Sequence, residues 1–391
     1  MQNSYFLQKK YLTGTYINRG ITLVRGEGAY LYDEQDNKYL DMMSNYGVNL
    51  FGYNNPQITK TITDQFQKIP TLHCSFNNDK RGEAARKLVE RCGHEFSNVY
   101  FSNSGAEAVE AALKFAVLAT GKNKFISMKE AFHGKTIGAL SATSGDKYRD
   151  PFKPLIWEFT HAQYGDIASL EKAIDPETAA IILEPVQGEG GINIPNNNFL
   201  QNVEKLCREN NILLIVDEIQ TGLGRTGNFL AIDEANINPD ILALGKGLAG
   251  GYPVGATLVN NQINSKISKG MHSSTFGGNP VACAGILAML NLLNDEVLQH
   301  VNEISEYLTQ KLQEINSDSI IDIRGKGLMI GIEVVEEGGQ VPKLRDQILK
   351  SLQQNKILAI PASTNVVRLL PPLIIQKKDV DEFLKVFKSI L

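Results

Sequence analysis

The sequence predicts an α/β fold with a mostly parallel central sheet, followed by a smaller α+β part. Between about residues 51 and 293, apolar strand-like runs alternate with helix-like runs, an order typical of a parallel sheet covered by helices on both faces. Beyond residue 293 this alternation ends, and short strand-like runs follow a long helix-like one. The chain has 391 residues, more than one hydrophobic core normally accommodates. A large domain with a smaller one appended is therefore expected.

The individual elements follow from hydrophobic periodicity. The predicted strands of the central sheet are residues 98–101, 124–128, 179–183, 212–216, 241–244 and 256–259. The predicted helices of the large domain are residues 107–119, 199–209 and 280–293. The C-terminal part is predicted as a helix at 296–315, strands at 321–324 and 328–334, a helix at 344–354, and strands at 358–361 and 366–369.

The opening segment is predicted to belong with the C-terminal part. Its stretch GEGAYLYDEQDNKYLDM is typical of a β-hairpin with the turn at Asp36 and Asn37. The tyrosine-containing stretch before the hairpin is expected to form an arm that lies on another surface. We therefore expect an N-terminal arm and part of the small domain at 1–50, the large domain at 51–293, and the small C-terminal domain at 294–391.

Composition excludes several classes of partner. The chain is 42% hydrophobic and 21% charged, and its net charge of −4 provides no basic surface for nucleic acid or anionic lipid. No stretch approaches the ~18 apolar residues of a membrane span, and the N-terminus has no apolar leader, so a cytoplasmic location is expected. The cysteines form no C-x-x-C pair, which argues against a zinc site or a disulfide framework; they are Cys74, Cys92, Cys207 and Cys283.

The most informative pair of residues is Asp217 and Lys246. Asp217 directly follows the apolar run 212–216, and Lys246 follows the run 241–244 after a single glycine. Ligands of open α/β sheets bind outside the carboxyl ends of the strands, so both side chains are expected in one crevice. A lysine amine can form a Schiff base with an aldehyde, and a carboxylate can hold a pyridine nitrogen protonated. The pair therefore indicates pyridoxal 5'-phosphate as the cofactor.

Three further turns supply candidate cofactor contacts. In FSNSGAE a strand leads into a helix, where Ser104 and free backbone amides suit a phosphate; an ordinary capping box of Ser104 with Glu107 is the alternative. In FHGKT, Phe132 is expected to stack on a flat ring, with His133 in a supporting role. In the glycine-rich STFGGNP, the hydroxyl of Thr275 is positioned to donate to a phosphate.

In this order, the motifs resemble those of the fold-type I, class III pyridoxal-phosphate aminotransferases, and within them the acetylornithine and ornithine group. The resemblance extends from about residue 19 to the C-terminus. It implies that Lys246 is the Schiff-base lysine and that Asp217 partners the pyridine nitrogen. It also implies that Phe132 stacks on the ring and that Gln220 lies beside the phenolic oxygen. The backbone amides of Gly105 and Ala106 are implied to bind the phosphate.

The same resemblance implies a homodimer with shared active sites. In that family, the threonine that corresponds to Thr275 reaches the phosphate of the neighbouring subunit's cofactor.

Lys246 is expected to take a proton from the substrate carbon and return it to the cofactor carbon. Burial and the cationic ring are expected to lower the pKa of Lys246 from its usual ~10.4, so that the neutral amine becomes accessible.

Glu189 in QGEGG and Arg368 in NVVRLLPP are the implied substrate-binding pair. In the resembling family the carboxylate pairs with the arginine while a terminal amine is bound, and moves away when the arginine takes the carboxylate of glutamate. A surface salt bridge of little energetic value is the alternative.

The implied reaction moves the δ- or ε-amino group of N-acetylornithine, or of a similar α-N-blocked ornithine or lysine, to 2-oxoglutarate. Its products are a semialdehyde and glutamate, and it belongs to arginine or lysine biosynthesis.

Two positions depart from the acetylornithine pattern. Those members usually carry arginine in the FHG-R-T position, where it grips the distal α-carboxylate, whereas this chain has Lys135, a point charge in place of a bidentate fork. The second departure is the stretch SNYGV with Tyr46, because acetylornithine members usually have an apolar, small-residue stretch there. An N-Y-G sequence at this place is more like the relatives that act on lysine or ornithine linked to an amino-group carrier protein. Tyr46 is expected either to line the substrate entrance or to be a half-buried core tyrosine. Ornithine aminotransferase, 4-aminobutyrate aminotransferase and semialdehyde aminomutase remain open as alternatives.

Overall fold

The computed structural model describes residues 4–196, 198–335 and 343–391. Its strands are β1 Leu23–Glu27, β2 Tyr30–Asp33, β3 Lys38–Asp41, β4 Phe96–Ser102, β5 Lys124–Met128, β6 Glu158–Ala162, β7 Thr178–Leu183, β8 Leu213–Asp217, β9 Ile241–Leu244, β10 Gly255–Asn260, β11 Ile320–Lys326, β12 Met329–Val334, β13 Ile357–Leu358, β14 Ile360–Ala362 and β15 Val366–Leu369. The longer helices are Ser4–Tyr11, Pro56–Lys68, Asp79–Cys92, Gly105–Thr120, Ile137–Ala142, Ile167–Ala173, Phe199–Asn210, Pro280–Leu292, Asp295–Gln313, Lys343–Gln354 and Lys377–Ile390. The short ones are Ser44–Gly47, Asp146–Arg149, Asp150–Phe152, Ile232–Ala235, Lys246–Ala249 and Asn261–Asn264.

The central sheet has seven strands in the order β4-β10-β9-β8-β7-β5-β6. The two pairs made by β10 are antiparallel, and the other neighbouring pairs are parallel. Strands β7 and β9 are buried along their whole length, as strands covered on both faces require. The predicted α/β fold with a mostly parallel sheet is confirmed, and each predicted strand of this sheet is present. Strand β6 was missed because this edge strand is fully buried only at its last residue and has no apolar run.

Two helices of this part of the molecule are largely apolar. Helix Gly105–Thr120 packs on β9 and β10, and helix Pro280–Leu292 packs against helices Pro56–Lys68 and Asp79–Cys92. Both begin at a capped turn, and Pro280 occupies the first turn, where its missing N–H costs nothing. Within the described ranges, no single helix has the length and apolar composition needed to cross a membrane. The pair Pro280–Leu292 and Asp295–Gln313, bent by 70°, meets those criteria only when taken together.

Two four-stranded sheets lie beside the central one, in the orders β1-β2-β3-β13 and β11-β12-β15-β14. The predicted hairpin is formed by β2 and β3, and Asp36 at its turn has a φ of 66°. Strand β3 also pairs in parallel with β13, which joins the N-terminal segment to the C-terminal one. The single strand predicted at 358–361 is two strands, because the chain passes from one sheet to the other at Ala359. The three-region division stays a prediction.

The segment between β3 and helix Pro56–Lys68 contains a left-handed turn. Ser44, Asn45, Tyr46 and Gly47 have φ values of 40°, 50°, 59° and 86°. Side chains other than glycine's disfavour this region of backbone space, so surrounding contacts must hold the turn. The carboxylate of Asp41 supplies part of them by accepting the N–H groups of Met43 and Ser44, both at 2.9 Å.

Arg225, in a loop after β8, supplies further contacts to this turn. Its guanidinium is fully buried, donates to the carbonyls of Leu328 and Pro371, and donates to Ser44 Oγ at 3.2 Å. Ser44 Oγ in turn donates to the carbonyl of Leu370 at 2.6 Å. Burial lowers the pKa of Arg225 to about 9, an effect that the negative charge of nearby Asp41 opposes. One side chain therefore ties the left-handed turn to the strand β12 region and to the segment after β15.

Replacing Arg225 by alanine should destabilise the fold strongly. The change would leave the acceptors of the buried guanidinium without donors and Asp41 without its neighbouring cation, for a loss of about 3–5 kcal/mol. Thermal and urea unfolding followed by circular dichroism would measure it. Arg86→Ala is the matched control, because the Arg86–Glu90 pair is exposed and is worth about 0.5 kcal/mol or less. Equal unfolding midpoints for the two variants would contradict the role of Arg225.

Candidate active site

The carboxyl end of β8 carries a buried carboxylate–imidazole pair. Asp217 is the last residue of β8, and its Oδ2 lies 2.7 Å from His133 Nδ1. An ionised carboxylate only accepts, so the imidazole donates through Nδ1. The other oxygen, Oδ1, accepts the backbone N–H of Ile219 at 3.0 Å. His133, for which the sequence predicted a supporting role, thus contacts Asp217 directly and orients its carboxylate.

Lys246 lies on the neighbouring strand end. Strands β8 and β9 are paired with Asp217 opposite Ala243, so Gly245 and Lys246 leave the sheet beside Asp217. Lys246 has a φ of 48°, an uncommon conformation for a lysine and typical of functional sites. Burial lowers the pKa of the Lys246 amine; the charges of Glu189 and Asp217 oppose this effect, and that of Arg368 adds to it. The neutral amine is therefore more populated than in a solvated lysine.

The start of helix Gly105–Thr120 forms a backbone cradle at the same edge. Ser104 Oγ accepts the N–H of Glu107 at 3.2 Å, so Ser104 is the helix cap. Glu107 does not complete an ordinary capping box, because its carboxylate accepts the N–H of Asn103 at 2.6 Å. The first N–H groups of a helix have no intrahelical partner, which leaves those of Gly105 and Ala106 available to an anion.

Ile219 narrows this cradle and was not singled out from the sequence. A Cβ placed on Gly105 would lie 2.9 Å from Ile219 Cδ1, and one placed on Gly245 would lie 3.4 Å from Ile219 Cγ2. Only glycine at position 105 therefore fits beside this side chain. The position of Ile219, two residues after Asp217 at the end of a buried strand, is the sequence signal that points to it.

Glu184 is a second residue that sequence reasoning missed. It directly follows β7, and its carboxylate accepts the N–H groups of Phe132 at 3.0 Å and Gly188 at 3.1 Å. Burial raises the pKa of Glu184 to about 7; the charge of Asp217 also raises it, and His133 opposes. The rule that selected Asp217, a charged residue after an apolar run, applies equally to Glu184. This carboxyl group joins the FHGKT turn to the QGEGG turn.

The predicted Glu189–Arg368 pair is formed. Arg368 Nη2 donates to Glu189 Oε1 at 2.6 Å, and Nη1 donates to Gln220 Oε1 at 3.2 Å. Arg368 is fully buried while the Glu189 side chain is 32% exposed, so this is not the surface salt bridge considered as the alternative. The pair lies near Lys246, whose amine both charges influence. Gln220 thereby links the arginine to the segment that carries Asp217.

The left-handed turn also borders this site. A Cβ placed on Gly47 would lie 3.9 Å from Gln220 Cγ and 4.0 Å from Lys246 Cδ. The Tyr46 ring lies 5.9 Å from Arg368 Cζ and is 46% exposed, so it belongs to the rim of the site and not to the core.

Two predicted residues are not brought together with the others in this chain. Lys135 is exposed, and its Nζ lies 5.3 Å from the centroid of the Tyr148 ring. Thr275 is exposed on the loop before helix Pro280–Leu292. A cavity of about 640 Å³ adjoins the site and is lined by Phe132, Glu189, Tyr148 and residues of the C-terminal segment.

Residues 14–391 match the family model described as aminotransferase class-III. The acetylornithine aminotransferase of Methanopyrus kandleri is 41% identical over 377 residues, covering 96% of this chain and 95% of that protein. A putative [LysW]-aminoadipate semialdehyde/glutamate semialdehyde transaminase of Pyrococcus furiosus is 41% identical over 362 residues, covering 93% of each chain.

A solved structure gives the same result at the level of the fold. The ornithine aminotransferase of Toxoplasma gondii ME49 superposes with a TM-score of 0.93 at 32% identity, covering 99% of this chain and 93% of that one. Another structure of that species' enzyme is described as having pyridoxal phosphate at its active site. Sequence, fold and site geometry agree, and the chain belongs to the class III aminotransferases, which use pyridoxal 5'-phosphate.

Proposed function

We propose that this aminotransferase moves the δ- or ε-amino group of N-acetylornithine, or of a similar α-N-blocked ornithine or lysine, to 2-oxoglutarate. The products are a semialdehyde and glutamate, in arginine or lysine biosynthesis. The observation that carries this proposal is the contact between fully buried Arg368 and partly exposed Glu189 beside Lys246. An arginine with a movable counter-ion serves a reaction in which one substrate brings a carboxylate to that position and the other does not.

The residues present fit pyridoxal phosphate. The buried carboxylate of Asp217, held by His133, suits the pyridine nitrogen, and the backbone at Gly105 leaves no room for a Cβ beside Ile219. When bound, the cofactor supplies an electron-accepting ring that stabilises negative charge on the substrate carbon. We propose that Lys246 holds it covalently, that Ser104, Gly105 and Ala106 bind its phosphate, that Phe132 stacks on its ring, and that Gln220 lies beside its phenolic oxygen.

Lys246 is the proposed proton carrier. Its lowered pKa makes the neutral amine available to take a proton from the substrate carbon. Asp217 supplies a fixed negative charge at the end of β8, and His133 keeps that carboxylate in one orientation. Asp217 is almost completely buried, so little water reaches its carboxylate and its charge is weakly screened.

The substrate switch rests on the unequal burial of its two partners. Arg368 is held by Gln220 Oε1 and by the carbonyl of Pro361 at 3.3 Å, so it stays in place when its counter-ion leaves. Glu189 can turn outward because a third of its side chain already contacts solvent. With a terminal amine bound, Glu189 neutralises Arg368; with glutamate bound, the substrate carboxylate takes its place.

Several finer assignments belong to the same proposal. The relatives from Methanopyrus and Pyrococcus support a donor blocked at the α-amine, and an amino-group carrier protein is a candidate partner that would present such a donor. Ornithine and 4-aminobutyrate aminotransferases remain alternative functions. A semialdehyde aminomutase is disfavoured, because it needs no external 2-oxoglutarate and gives no role to the Glu189–Arg368 pair. We further propose a homodimer in which Thr275 reaches the phosphate of the partner subunit's cofactor.

A donor panel tests the proposed substrate. N-acetylornithine, ornithine, 4-aminobutyrate and a carrier-linked amine are each supplied with 2-oxoglutarate, and glutamate release is measured. The highest kcat/KM is expected for a donor blocked at the α-amine. A higher value for ornithine or 4-aminobutyrate would replace the proposal by that alternative, and failure of all four donors would point to the aminomutase.

Replacing Lys246 by alanine should reduce turnover by at least about 10²-fold, the size of a general acid–base contribution, while part of the cofactor affinity remains. Borohydride reduction followed by peptide mass spectrometry should attach the cofactor to the Lys246 peptide of the wild-type protein and to no residue of the variant. Lys60→Ala, whose side chain is 74% exposed, is the control and should behave as wild type. Near-normal turnover by Lys246→Ala would refute the assignment.

Replacing Glu189 by alanine should remove the preference for terminal amines. Arg368 would keep an unpaired charge, so the terminal-amine half-reaction should slow by about tenfold or more while the glutamate half-reaction is retained. Single-turnover absorbance changes of the bound cofactor measure each half-reaction separately. Glu130→Ala is the matched control, since Glu130 lines the same cavity but accepts from Asn193. Equal loss in both half-reactions would eliminate the switch.

A further inference from the structure

The cavity beside the Glu189–Arg368 pair is also lined by a loop, residues 144–148, that the sequence did not single out. Phe132 and Glu189 line this cavity together with Gly145, Lys147 and Tyr148. When the terminal amine of the donor is placed near Lys246, its aliphatic chain lies along this cavity. The blocked α-carbon with its carboxylate must then be met by residues of the loop.

The loop is tied to the segment that carries Phe132 by one backbone and one ring contact. Ser144 N donates to the carbonyl of Ala131 at 2.8 Å, and within the loop Tyr148 N donates to the carbonyl of Gly145 at 3.0 Å. The ring of Tyr148 meets the ring of Phe132 edge to face at 6.2 Å. The position of the loop is therefore set relative to Phe132, whose own N–H is held by Glu184.

The cations near the cavity are not equivalent. Arg345 lines it, but its guanidinium donates to the carbonyl of Ser363 at 2.7 Å and to Asp346 Oδ1 at 2.6 Å. Arg368 is occupied by Glu189. Lys147 lines the cavity, is exposed, and makes no ion pair with any residue that the structure describes; its Nζ lies 4.7 Å from the centroid of the Tyr148 ring. Lys135 reaches the same ring but is absent from the lining of this cavity among the described residues.

We propose that Lys147, and not Lys135, binds the distal α-carboxylate of the donor. Lys147 is a specificity-determining residue of this chain. It binds the carboxylate that the family resemblance placed at the lysine of the FHGKT motif, Lys135. This assignment rests on the proposed function, because it requires a donor whose reacting amine and carboxylate lie at opposite ends of a short aliphatic chain.

The other charges of the cavity indicate the class of ligand. Its acidic lining residues are Glu130, Asp146 and Glu189, of which Glu130 accepts from Asn193 and Glu189 from Arg368. A single unpaired ammonium beside these groups suits one carboxylate, not a phosphate or another multiply charged anion. Because lysine offers a point charge without a planar fork, it accepts a carboxylate at varied angles. The site therefore tolerates different blocking groups on the α-nitrogen while requiring the carboxylate.

The test uses two donors that differ only in this carboxylate, N-acetylornithine and N-acetylputrescine. The holoenzyme and the variants Lys147→Gln and Lys135→Gln are assayed with each donor at saturating 2-oxoglutarate. We expect the wild-type preference for N-acetylornithine, as a ratio of kcat/KM values, to fall about tenfold in Lys147→Gln through KM, with kcat for N-acetylputrescine unchanged. Lys135→Gln should keep the wild-type ratio, and Lys147→Arg should restore most of it.

Ionic strength gives a second measurement. The preference of the wild-type protein should weaken as salt screens an exposed ammonium, and that of Lys147→Gln should be nearly insensitive to salt. An unchanged donor ratio in Lys147→Gln, or an equal fall in Lys135→Gln, would overturn the assignment of Lys147 alone. Turnover of ornithine or 4-aminobutyrate by the wild-type protein, with neither N-acetyl donor accepted, would overturn the proposed function and this assignment with it.

Discussion

The site depends on the parallel pairing of three neighbouring strands, β7, β8 and β9. Their register places Leu183 opposite Val216 and Asp217 opposite Ala243, so the strands end at one edge of the sheet. The first charged residue after β7 is Glu184, the first after β9 is Lys246, and Asp217 is itself the last residue of β8. Because these strands are buried on both faces, a shift in their pairing would expose apolar side chains. The packing of the core therefore also fixes the distances between the charged groups.

A second constraint comes from Arg225, which does not lie at the end of a strand as Glu184, Asp217 and Lys246 do. Its buried guanidinium holds Ser44, and with it the left-handed turn that carries Tyr46 and Gly47. A Cβ placed on Gly47 of that turn would contact Gln220 and Lys246. The segments joined in this way come from the start, middle and end of the chain. Residues near the two termini can therefore influence a site whose proposed cofactor contacts all lie between them.

Electrostatics in the site follows burial. Burial lowers the pKa of Lys246 and raises that of Glu184 to about 7, so both groups are shifted toward their neutral forms. Arg368 is held in the interior by hydrogen bonds to Glu189, Gln220 and the carbonyl of Pro361. The partner that is left partly exposed is the carboxylate that the proposed reaction needs to move. In the proposed reaction, an ion pair with one buried and one partly exposed member provides two binding states without rebuilding the pocket.

The sequence by itself determined the parallel sheet and the pair Asp217 and Lys246, because apolar runs and the charged residues that end them are local features. The same rule would have selected Glu184. Strand β6 and the break at Ala359 could not be predicted, since an edge strand shows little apolar pattern and a change of sheet leaves no local signal. Only the tertiary structure decided that Arg225 supports the turn at Tyr46, and that Lys147 lines the cavity while Lys135 does not. These are contacts between segments distant in the chain, and their geometry is set by how the helices and sheets pack, which residue spacing does not encode.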